Sequence, residues 1–288
     1  MKGVILAAGY ATRFLPASKT IPKEMFPLVD RPAIDFIVQE MVDAGISDIL
    51  LVSSRRKKVM EDYFDREVEL SSAFANSNEI EKLEVIKPIK ANIFILRQQY
   101  MMGTGNALML VESFVDNEPF IVAYPDDIVL GEKPLTKQLI DAWNQTGDTV
   151  LSVQELNKDQ LSRYGVIAPK GSGKIVKVIE MVEKPKEGKA PSRLVSFGRY
   201  LYTPEIFDAL RVSDKNNFSK SEFTQTEAIN ILASRGKVSA IKFNGKRYDL
   251  GDPLGYITSV LEIGLQRKDM KKKLLDNIKE LLSFYGES

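Results

Sequence analysis

The sequence predicts an α/β protein built on a doubly wound, mostly parallel mixed sheet, with a smaller β-rich portion and C-terminal helices. Two observations carry this expectation. In the first half of the chain, short apolar runs typical of buried strands alternate with segments of helical spacing. Such alternation favours parallel strands with helices on both faces. In the second half, strand patterns follow one another with fewer helices between them, which indicates a β-rich portion added to the same sheet.

The first predicted strand, Val4–Ala7, leads through Gly9 into a long loop rich in Gly, Thr, Pro and cations. A helix begins near Pro32, which suits a first helical turn, and ends at Gly45, where a glycine cap is common. Residues 65–91 show no clear pattern of helix or strand. The other elements of this half are strand Ile49–Ser53, a charged helix through Phe64, strand Ile93–Arg97, helix Gly105–Phe114, strand Phe120–Tyr124, helix Leu135–Trp143 and strand Thr149–Glu155.

The second half is predicted to end in two amphipathic helices. The first, Pro253–Gln266, carries Leu254, Ile257 and Leu261 on one face, and residues 268–285 end in a Leu-rich pattern. These apolar faces pack either on their own domain or on another subunit. The strands expected before them are Val166–Ala168, Ile175–Glu183, Val195–Tyr202 and Val238–Phe243.

The composition limits the chemistry. Hydrophobic residues make up 44% and charged residues 27% of the 288 residues, and the net charge is +1. A nearly neutral chain has no overall attraction for nucleic acid or membranes, so an anionic ligand needs a local cluster of cations. The absence of cysteine and histidine excludes thiol chemistry, a Ser-His-Asp triad and most zinc sites. No stretch is typical of a signal peptide or a membrane span, so we expect a cytoplasmic protein.

The loop after the first strand is a candidate phosphate site. Small residues around Gly9 let a ligand approach the backbone at the edge of the sheet where ligands bind. Arg13, Lys19 and Lys23 supply up to three cations for a triphosphate. A plain turn with solvated cations is the alternative. The loop lacks the glycine patterns of dinucleotide dehydrogenases and of P-loop enzymes, which counts against both classes.

Two acidic segments are candidate metal ligands. Asp126 and Asp127 directly follow a predicted strand, where carboxylates suit Mg²⁺ and substrate phosphates, although Asp is also common in turns. In the segment 247–253, Asp252 precedes Pro253 and a helix, so it is most simply a helix N-cap. Asp249 has no such structural role in the sequence and is therefore the better candidate for the second metal ligand.

Three further segments are weaker signals. Pro22-Lys23-Glu24 lies on a loop stiffened by a second proline, and its charges form either a ligand contact or a loop salt bridge. The turn at Gly103 precedes a helix and has room for a base or a ribose. Glu183-Lys184-Pro185 ends a strand, where an edge salt bridge is the default interpretation.

Several segments together resemble the bacterial UDP-glucose pyrophosphorylases (UTP–glucose-1-phosphate uridylyltransferases), over roughly residues 3 to 265. The chain departs from that pattern at residues 103–106, where Gly-Thr-Gly-Asn stands for G-L-G-H, and at residues 221–227, where Ser-Glu-Phe-Thr-Gln-Thr-Glu stands for G-E-I-Q-L-T-D. The segments that carry the resemblance are LAAGYATRFLPASKTIPKEMFPLVDRPAI at 6–34, RQQ at 97–99, PDDIVL at 125–130, RYGVI at 163–167, VEKPK at 182–186, GRYLYTPEIF at 198–207 and GKRYDLGDPLGY at 245–256.

The resemblance implies a Rossmann-like nucleotidyltransferase fold that uses UTP, glucose 1-phosphate and Mg²⁺. It implies that Arg13 and Lys23 bind the triphosphate, and that Asp126 and Asp249 bind Mg²⁺. Arg13, Lys23 and Lys184 would then be the catalytic cations. The expected nucleotide-binding residues are Ala8, Gly9, Glu24, Gln98, Gly103 and Asp127. The residues expected to hold glucose 1-phosphate are Gly165, Glu183 and Lys184.

The expected domain organisation is a catalytic domain over residues 1–252, followed by C-terminal helices over 253–288. The nucleotide-binding half covers about 1–150 and the sugar-binding half about 151–252. The resemblance makes the C-terminal helices a possible interface of a homodimer or homotetramer. The alternatives are the same chemistry with another nucleotide or sugar, such as thymidylyl transfer, a catalytically silent nucleotide-sugar-binding regulator, and a dehydrogenase.

Overall fold

The computed structural model describes residues 1–216 and 223–286. Ser221 and Glu222, the first two residues of the segment 221–227 that was compared with the family pattern, lie outside them. The strands are β1 (Lys2–Leu6), β2 (Pro27–Leu28), β3 (Arg31–Pro32), β4 (Asp48–Ser53), β5 (Asn92–Arg97), β6 (Phe120–Ala123), β7 (Asp127–Leu130), β8 (Thr149–Glu155), β9 (Gly165–Lys170), β10 (Ile175–Glu183), β11 (Leu194–Tyr202), β12 (Val238–Lys242) and β13 (Lys246–Asp249). The α-helices are α1 (Ala33–Asp43), α2 (Lys58–Phe64), α3 (Val68–Asn76), α4 (Ile80–Val85), α5 (Thr104–Met109), α6 (Glu112–Val115), α7 (Leu135–Thr146), α8 (Glu205–Asn216), α9 (Thr226–Ser234), α10 (Pro253–Gln266) and α11 (Lys271–Tyr285).

Within the described chain, nine strands form one sheet in the order β5-β4-β1-β6-β11-β8-β12-β10-β9. The pairs β5–β4, β4–β1, β1–β6 and β8–β12 are parallel. The pairs β6–β11, β11–β8, β12–β10 and β10–β9 are antiparallel. The α/β architecture with a β-rich second half is confirmed, but the expectation of a mostly parallel sheet was wrong. In the second half, β9 and β10 are joined by a short connection, which antiparallel pairing permits, and β11 runs antiparallel to β6, β8 and β9.

The core lies on both faces of this sheet. On one face, α1 contributes Ile34, Ile37, Val38 and Met41, all fully buried, because they recur at helical spacing along one side. Burial of each such side chain contributes about 1.5–3 kcal/mol. On the other face, helices α5, α8 and α9 pack on the sheet. The helix predicted between Pro32 and Gly45 is therefore confirmed as α1. Gly45 follows α1 with a φ of +88°, as a glycine cap requires.

A buried ion pair joins the sheet to the helices. Arg199 on β11 is 1% exposed and donates from Nη2 to Glu40 Oε2 on α1 at 2.8 Å. Glu40 Oε1 also accepts from the backbone N and the hydroxyl of Thr136 on α7, at 2.8 Å and 2.6 Å. Removal of one partner of such a pair typically costs about 3–5 kcal/mol, because the other charge stays buried. The pair therefore holds β11 in place against α1 and α7.

Several local expectations are refined. Residues 65–91 contain α3 and α4, and the predicted helix 105–114 is divided into α5 and α6 near Leu110. The loop that follows β1 is built from short 3₁₀ turns at 12–14, 17–19 and 23–25. Both C-terminal helices form, yet their apolar faces stay open: Leu254 is 75% exposed and Leu282 64%. Among the described residues, no helix is long and apolar enough to cross a membrane.

Candidate active site

A cavity of about 340 Å³, here called cavity A, opens at the carboxyl ends of the parallel strands. Its wall is apolar where Leu6, Val52 and Ala107 contribute, and polar where the loops after the strands enter. Parallel strands bring their carboxyl ends to one edge of a sheet, which is where ligands bind in such folds. Cavity A brings together most of the residues expected to bind a nucleotide or its phosphates, and with them the expected metal ligand Asp126. The nucleotide and phosphate residues in its lining are Ala8, Gly9, Lys23, Glu24, Gln98 and Gly103.

A second cavity of about 390 Å³, cavity B, lies beside cavity A, and Asp126 borders both. Its lining is dominated by charged groups. The sequence predicted Arg13, Lys184, Asp126 and Asp249 for the site, and all of them line cavity B. The other lining residues are Asp127, Arg163, Tyr164, Arg247 and Gly251.

Lys23 is a partly buried cation at the boundary of the cavities. Its Nζ donates to Asp126 Oδ2 at 2.5 Å. Burial by itself would lower the pKa of Lys23, but the carboxylates of Asp126, Glu24 and Asp127 outweigh it and raise the pKa above its usual value. Lys23 is therefore a fixed positive charge at neutral pH, held beside the carboxylate of Asp126.

Asp249 is held in its ionised form by neighbouring donors. Its Oδ2 accepts from the Tyr164 hydroxyl at 2.7 Å and from Arg247 Nη2 at 3.0 Å, and its Oδ1 accepts from the Gly251 backbone N at 2.9 Å. Burial would raise the pKa of Asp249, but Arg247 and these hydrogen bonds lower it. The carboxylate is therefore charged and fixed in orientation, as a ligand for a hard cation must be.

The space beside Gly251 lies next to the carboxylates of both Asp126 and Asp249. A methyl group added to Gly251 would lie 2.9 Å from Asp249 Oδ1, 3.8 Å from Asp126 Oδ2 and 3.6 Å from Arg13 Nη1. Gly251 thus leaves open the space on which these groups converge. Within residues 1–216 and 223–286, no cluster of three or more His, Cys, Asp or Glu side chains could hold a metal. Two carboxylates with room for substrate phosphates are the arrangement that Mg²⁺ favours.

Asp127 differs from Asp126 in its partners. Its Oδ1 accepts from Arg247 Nε at 2.5 Å, and its Oδ2 accepts from the Gly198 backbone N at 3.1 Å. Burial raises the pKa of Asp127 in spite of the neighbouring guanidinium. Asp127 lines cavity B and not cavity A, with both carboxylate oxygens engaged by the protein. Its expected nucleotide contact stays a prediction, whereas its support of Arg247 is visible in the structure.

Of the residues expected to hold glucose 1-phosphate, Lys184 lines cavity B, whereas Gly165 and Glu183 are not in its lining. Gly165 pairs with Glu183 across β9 and β10, and a methyl group on Gly165 would lie 2.5 Å from Met181 Cε and 3.2 Å from Glu183 Oε2. Lys184 follows with a φ of +46°, which an L-residue rarely adopts, and its backbone N donates to Tyr164 O at 3.0 Å. This conformation turns the chain at the end of β10 and places Lys184 in the cavity lining.

Lys57 was missed by the sequence analysis. Its Nζ donates to Ala7 O at 2.5 Å and to Glu24 Oε1 at 2.7 Å, and Lys57 and Glu24 are 5% and 2% exposed. Burial lowers the pKa of Lys57 in spite of Glu24. The residue stands in a run of four cations, 55–58, which is typical of a solvated surface. Its ion pair with Glu24 depends on tertiary packing, which the sequence around Lys57 does not indicate.

Arg247 and Tyr164 were also missed as site residues. The Arg247 guanidinium lies between Asp127 and Asp249 and 4.0 Å from the centre of the Phe197 ring. Such a planar cation can bridge two carboxylates and stack on an aromatic ring at once. By contrast, the N-cap assignment of Asp252 is confirmed, since its Oδ1 accepts from the Gly255 backbone N at 2.9 Å.

Comparisons with known proteins show the family to which the chain belongs. The profile of the nucleotidyl transferase family matches residues 2–264. A UTP–glucose-1-phosphate uridylyltransferase from Staphylococcus epidermidis is 42% identical over 283 residues, which cover 97% of this chain and 98% of the relative. A UTP-bound UGPase from Acinetobacter baumannii superposes with a TM-score of 0.89 at 33% identity, over 97% of this chain and 99% of the other. A UDP-glucose pyrophosphorylase complexed with UDP-glucose has a TM-score of 0.80 at 36% identity, over 92% and 99% of the chains. The chain therefore belongs to the nucleotidyl transferase family and, within it, to the UDP-glucose pyrophosphorylases.

Proposed function

We propose that the protein transfers the uridylyl group of UTP to glucose 1-phosphate, forming UDP-glucose and pyrophosphate with Mg²⁺ as cofactor. The observation that carries this proposal is the junction of cavities A and B at Asp126. A nucleotide in cavity A would direct its phosphates to the same carboxylate that borders the charged cavity. Relatives named for this reaction, and solved structures with UTP and with UDP-glucose, support the choice of substrates.

Cavity A suits the nucleoside and the triphosphate. The small residues Ala8 and Gly9 let a ligand lie against the backbone, and Gln98 offers an amide to the base. Gly103 has a φ of +98°, which favours glycine and brings its backbone to the cavity. Arg13 and Lys23 supply the positive charge that the β- and γ-phosphates need.

Cavity B suits the sugar phosphate. Lys184 lies in its lining and would bind the phosphate of glucose 1-phosphate. Gly165 and Glu183, which pair across β9 and β10, would contact the sugar. Two anionic substrates repel one another at this distance. The cations of Lys23, Arg13 and Lys184 offset that repulsion, on a chain whose net charge is only +1.

The reaction is an in-line displacement without a covalent enzyme intermediate. A phosphate oxygen of glucose 1-phosphate forms a bond to the α-phosphorus of UTP. The bond from that phosphorus to the bridging oxygen breaks, and pyrophosphate leaves with the electron pair. The attacking oxygen is already ionised near neutral pH, so the chain needs no general base, in keeping with its lack of histidine. Catalysis then consists of positioning and charge neutralisation by Arg13, Lys23 and Lys184.

Asp126 and Asp249 would hold Mg²⁺, which when bound supplies charge neutralisation on the phosphate oxygens. Lys23 and Arg247 keep these carboxylates in place, since each donates to one of them. Tyr164 adds a second donor to Asp249 Oδ2. The protein side of the proposed site is therefore ordered by its own hydrogen bonds before any substrate enters.

The test is release of pyrophosphate from a panel of nucleoside triphosphates with glucose 1-phosphate and Mg²⁺. We expect UTP to be used in strong preference to ATP, CTP and GTP, because a pocket that hydrogen-bonds a base leaves polar groups unpaired with the wrong one. The panel includes dTTP, which separates uridylyl from thymidylyl transfer. Equal use of all triphosphates, or none, would contradict the proposal.

The C-terminal helices are proposed to form the interface of a homo-oligomer. Leu254, Ile257 and Leu261 of α10 are 75%, 56% and 39% exposed, and Leu281 and Leu282 of α11 are 56% and 64% exposed. Apolar stripes of this kind normally mark an interaction site. A second copy of the chain would cover both helices in a symmetric arrangement. The choice between dimer and tetramer, and the cytoplasmic location, stay predictions.

A further inference from the structure

The amide of Gln98 has its hydrogen-bond donor already in use within the protein. Gln98 is 5% exposed and lines cavity A directly after β5. Its Nε2 donates to Asn106 Oδ1 at 3.0 Å and lies 3.5 Å from the Gly103 carbonyl oxygen. An amide nitrogen carries two protons, and each here faces an acceptor.

The same contacts settle which way the amide points. A backbone carbonyl can only accept, so the reverse orientation would place the Gln98 oxygen against the Gly103 oxygen. Among the described residues, none donates to Gln98 Oε1. Gln98 therefore presents an acceptor, and not a donor, to whatever occupies cavity A.

Asn106 is itself firmly placed. It lies on α5, whose first turn is fixed to the segment before α9: the Gly105 backbone N donates to Phe223 O at 2.9 Å, and the Phe223 backbone N donates to Met102 O at 3.0 Å. A methyl group on Gly105 would lie 2.8 Å from the Phe223 ring, so the two segments are in close contact. Asn106 is not part of the cavity lining and acts only through Gln98.

We propose that Asn106 is a positioning residue for base selection, which holds the Gln98 amide so that only its oxygen faces the pyrimidine. This inference rests on the proposed function, because it assumes that a pyrimidine base enters cavity A. The imino N3–H of uracil donates to such an oxygen. N3 of cytosine is an acceptor and would meet it with repulsion, so the device selects uracil and thymine over cytosine.

The test is direct binding of UTP, CTP and dTTP, measured by calorimetry for the unmodified protein and for variants of Asn106. Asn106→Leu has nearly the same shape but no acceptor, so the amide of Gln98 keeps only the longer contact with the Gly103 carbonyl oxygen and turns its donor toward cytosine more readily. We expect the UTP-to-CTP ratio of affinities to fall about five- to tenfold. Asn106→Asp keeps an acceptor oxygen and should keep the ratio. The UTP-to-dTTP ratio should not change in any variant, because uracil and thymine share N3–H.

A role that is only structural would lower binding of all three nucleotides together, and this result would overturn the inference. An unchanged UTP-to-CTP ratio in Asn106→Leu would overturn it as well. If Asn106→Leu does not fold, Asn106→Ala removes the same acceptor with less bulk, and N3-methyl-UTP tests the N3–H contact on the unmodified protein. Binding is measured apart from turnover. Absence of pyrophosphate release would therefore contradict the proposed function, whereas the base-selection inference is decided by the ratios of affinities alone.

Discussion

Gly251→Ala tests the space that the structure leaves between Asp126 and Asp249. The added methyl group would lie 2.9 Å from Asp249 Oδ1, whereas an ordinary contact begins at 3.4 Å. Asp249 must therefore move by about half an ångström, and the position between the carboxylates is filled. Misplacement of about 1 Å near reacting groups costs about a hundredfold in rate, so we expect kcat/KM to fall about 10- to 100-fold. The φ of Gly251 lies outside the left-handed region, so alanine adds no backbone strain.

The assay is pyrophosphate release as a function of Mg²⁺ concentration. Gly251→Ala should need more Mg²⁺ for half-maximal activity, and its thermal unfolding midpoint should stay close to that of the unmodified protein. The midpoint is the control, since a general loss of folding would also reduce activity. Unchanged activity together with an unchanged Mg²⁺ requirement would show that the space beside Gly251 is not the metal position.

The other predictions concern the carboxylates, the metal, the buried lysine and the C-terminal helices. Asp126→Asn and Asp249→Asn should each remove most activity while the fold remains, because each loses a ligand for a hard cation. Asp252→Asn should be milder, since Asn caps a helix about as well as Asp. Excess chelator should abolish turnover and Mg²⁺ should restore it, while Zn²⁺ should give no advantage to a chain without His or Cys. Lys57→Met should lower the free energy of unfolding by about 3–5 kcal/mol in a denaturant titration, because the buried carboxylate of Glu24 loses its cation. Truncation after Gly264 should lower the mass in light scattering while UTP binding persists, because no proposed site residue is removed.

Specific results would contradict each of these expectations. Equal damage by Asp252→Asn and Asp249→Asn would remove the distinction between helix cap and metal ligand. Full activity in excess chelator would exclude the metal. Unchanged stability of Lys57→Met would mean that the pair with Glu24 contributes little to the folded state. An unchanged oligomer after truncation would mean that α10 and α11 serve only their own subunit.

Local patterns in the sequence predicted those parts of the fold that depend on neighbouring residues. The helical spacing from Ile34 to Met41 defined α1, and Asp252 before Pro253 was correctly assigned as a cap, because caps and amphipathic faces are local features. Strand direction was predicted less well. Whether β11 runs parallel or antiparallel to β6 depends on pairing between segments that are far apart in the sequence, which local periodicity does not indicate.

The residues of the candidate site also fall into two groups, those that local patterns indicated and those that they did not. The motifs around Arg13, Asp126 and Asp249 are local runs of small, charged or acidic residues after strands, so the sequence pointed to them, and the structure brings them together in cavity B. Lys57 and Arg247 could not be selected, because their importance comes from partners far away in sequence: Glu24 for the first and Asp127 for the second.

The central claim is that cavities A and B hold the nucleotide and the sugar phosphate for a single direct transfer at Asp126. The stereochemistry at the α-phosphorus tests it most directly. UTP with one oxygen of the α-phosphate replaced by sulfur, in a single configuration, is converted with glucose 1-phosphate, and the configuration of the product is determined. One in-line displacement predicts a nucleotide sugar with inverted configuration at phosphorus. Retention of configuration would require a covalent enzyme intermediate and would contradict the account.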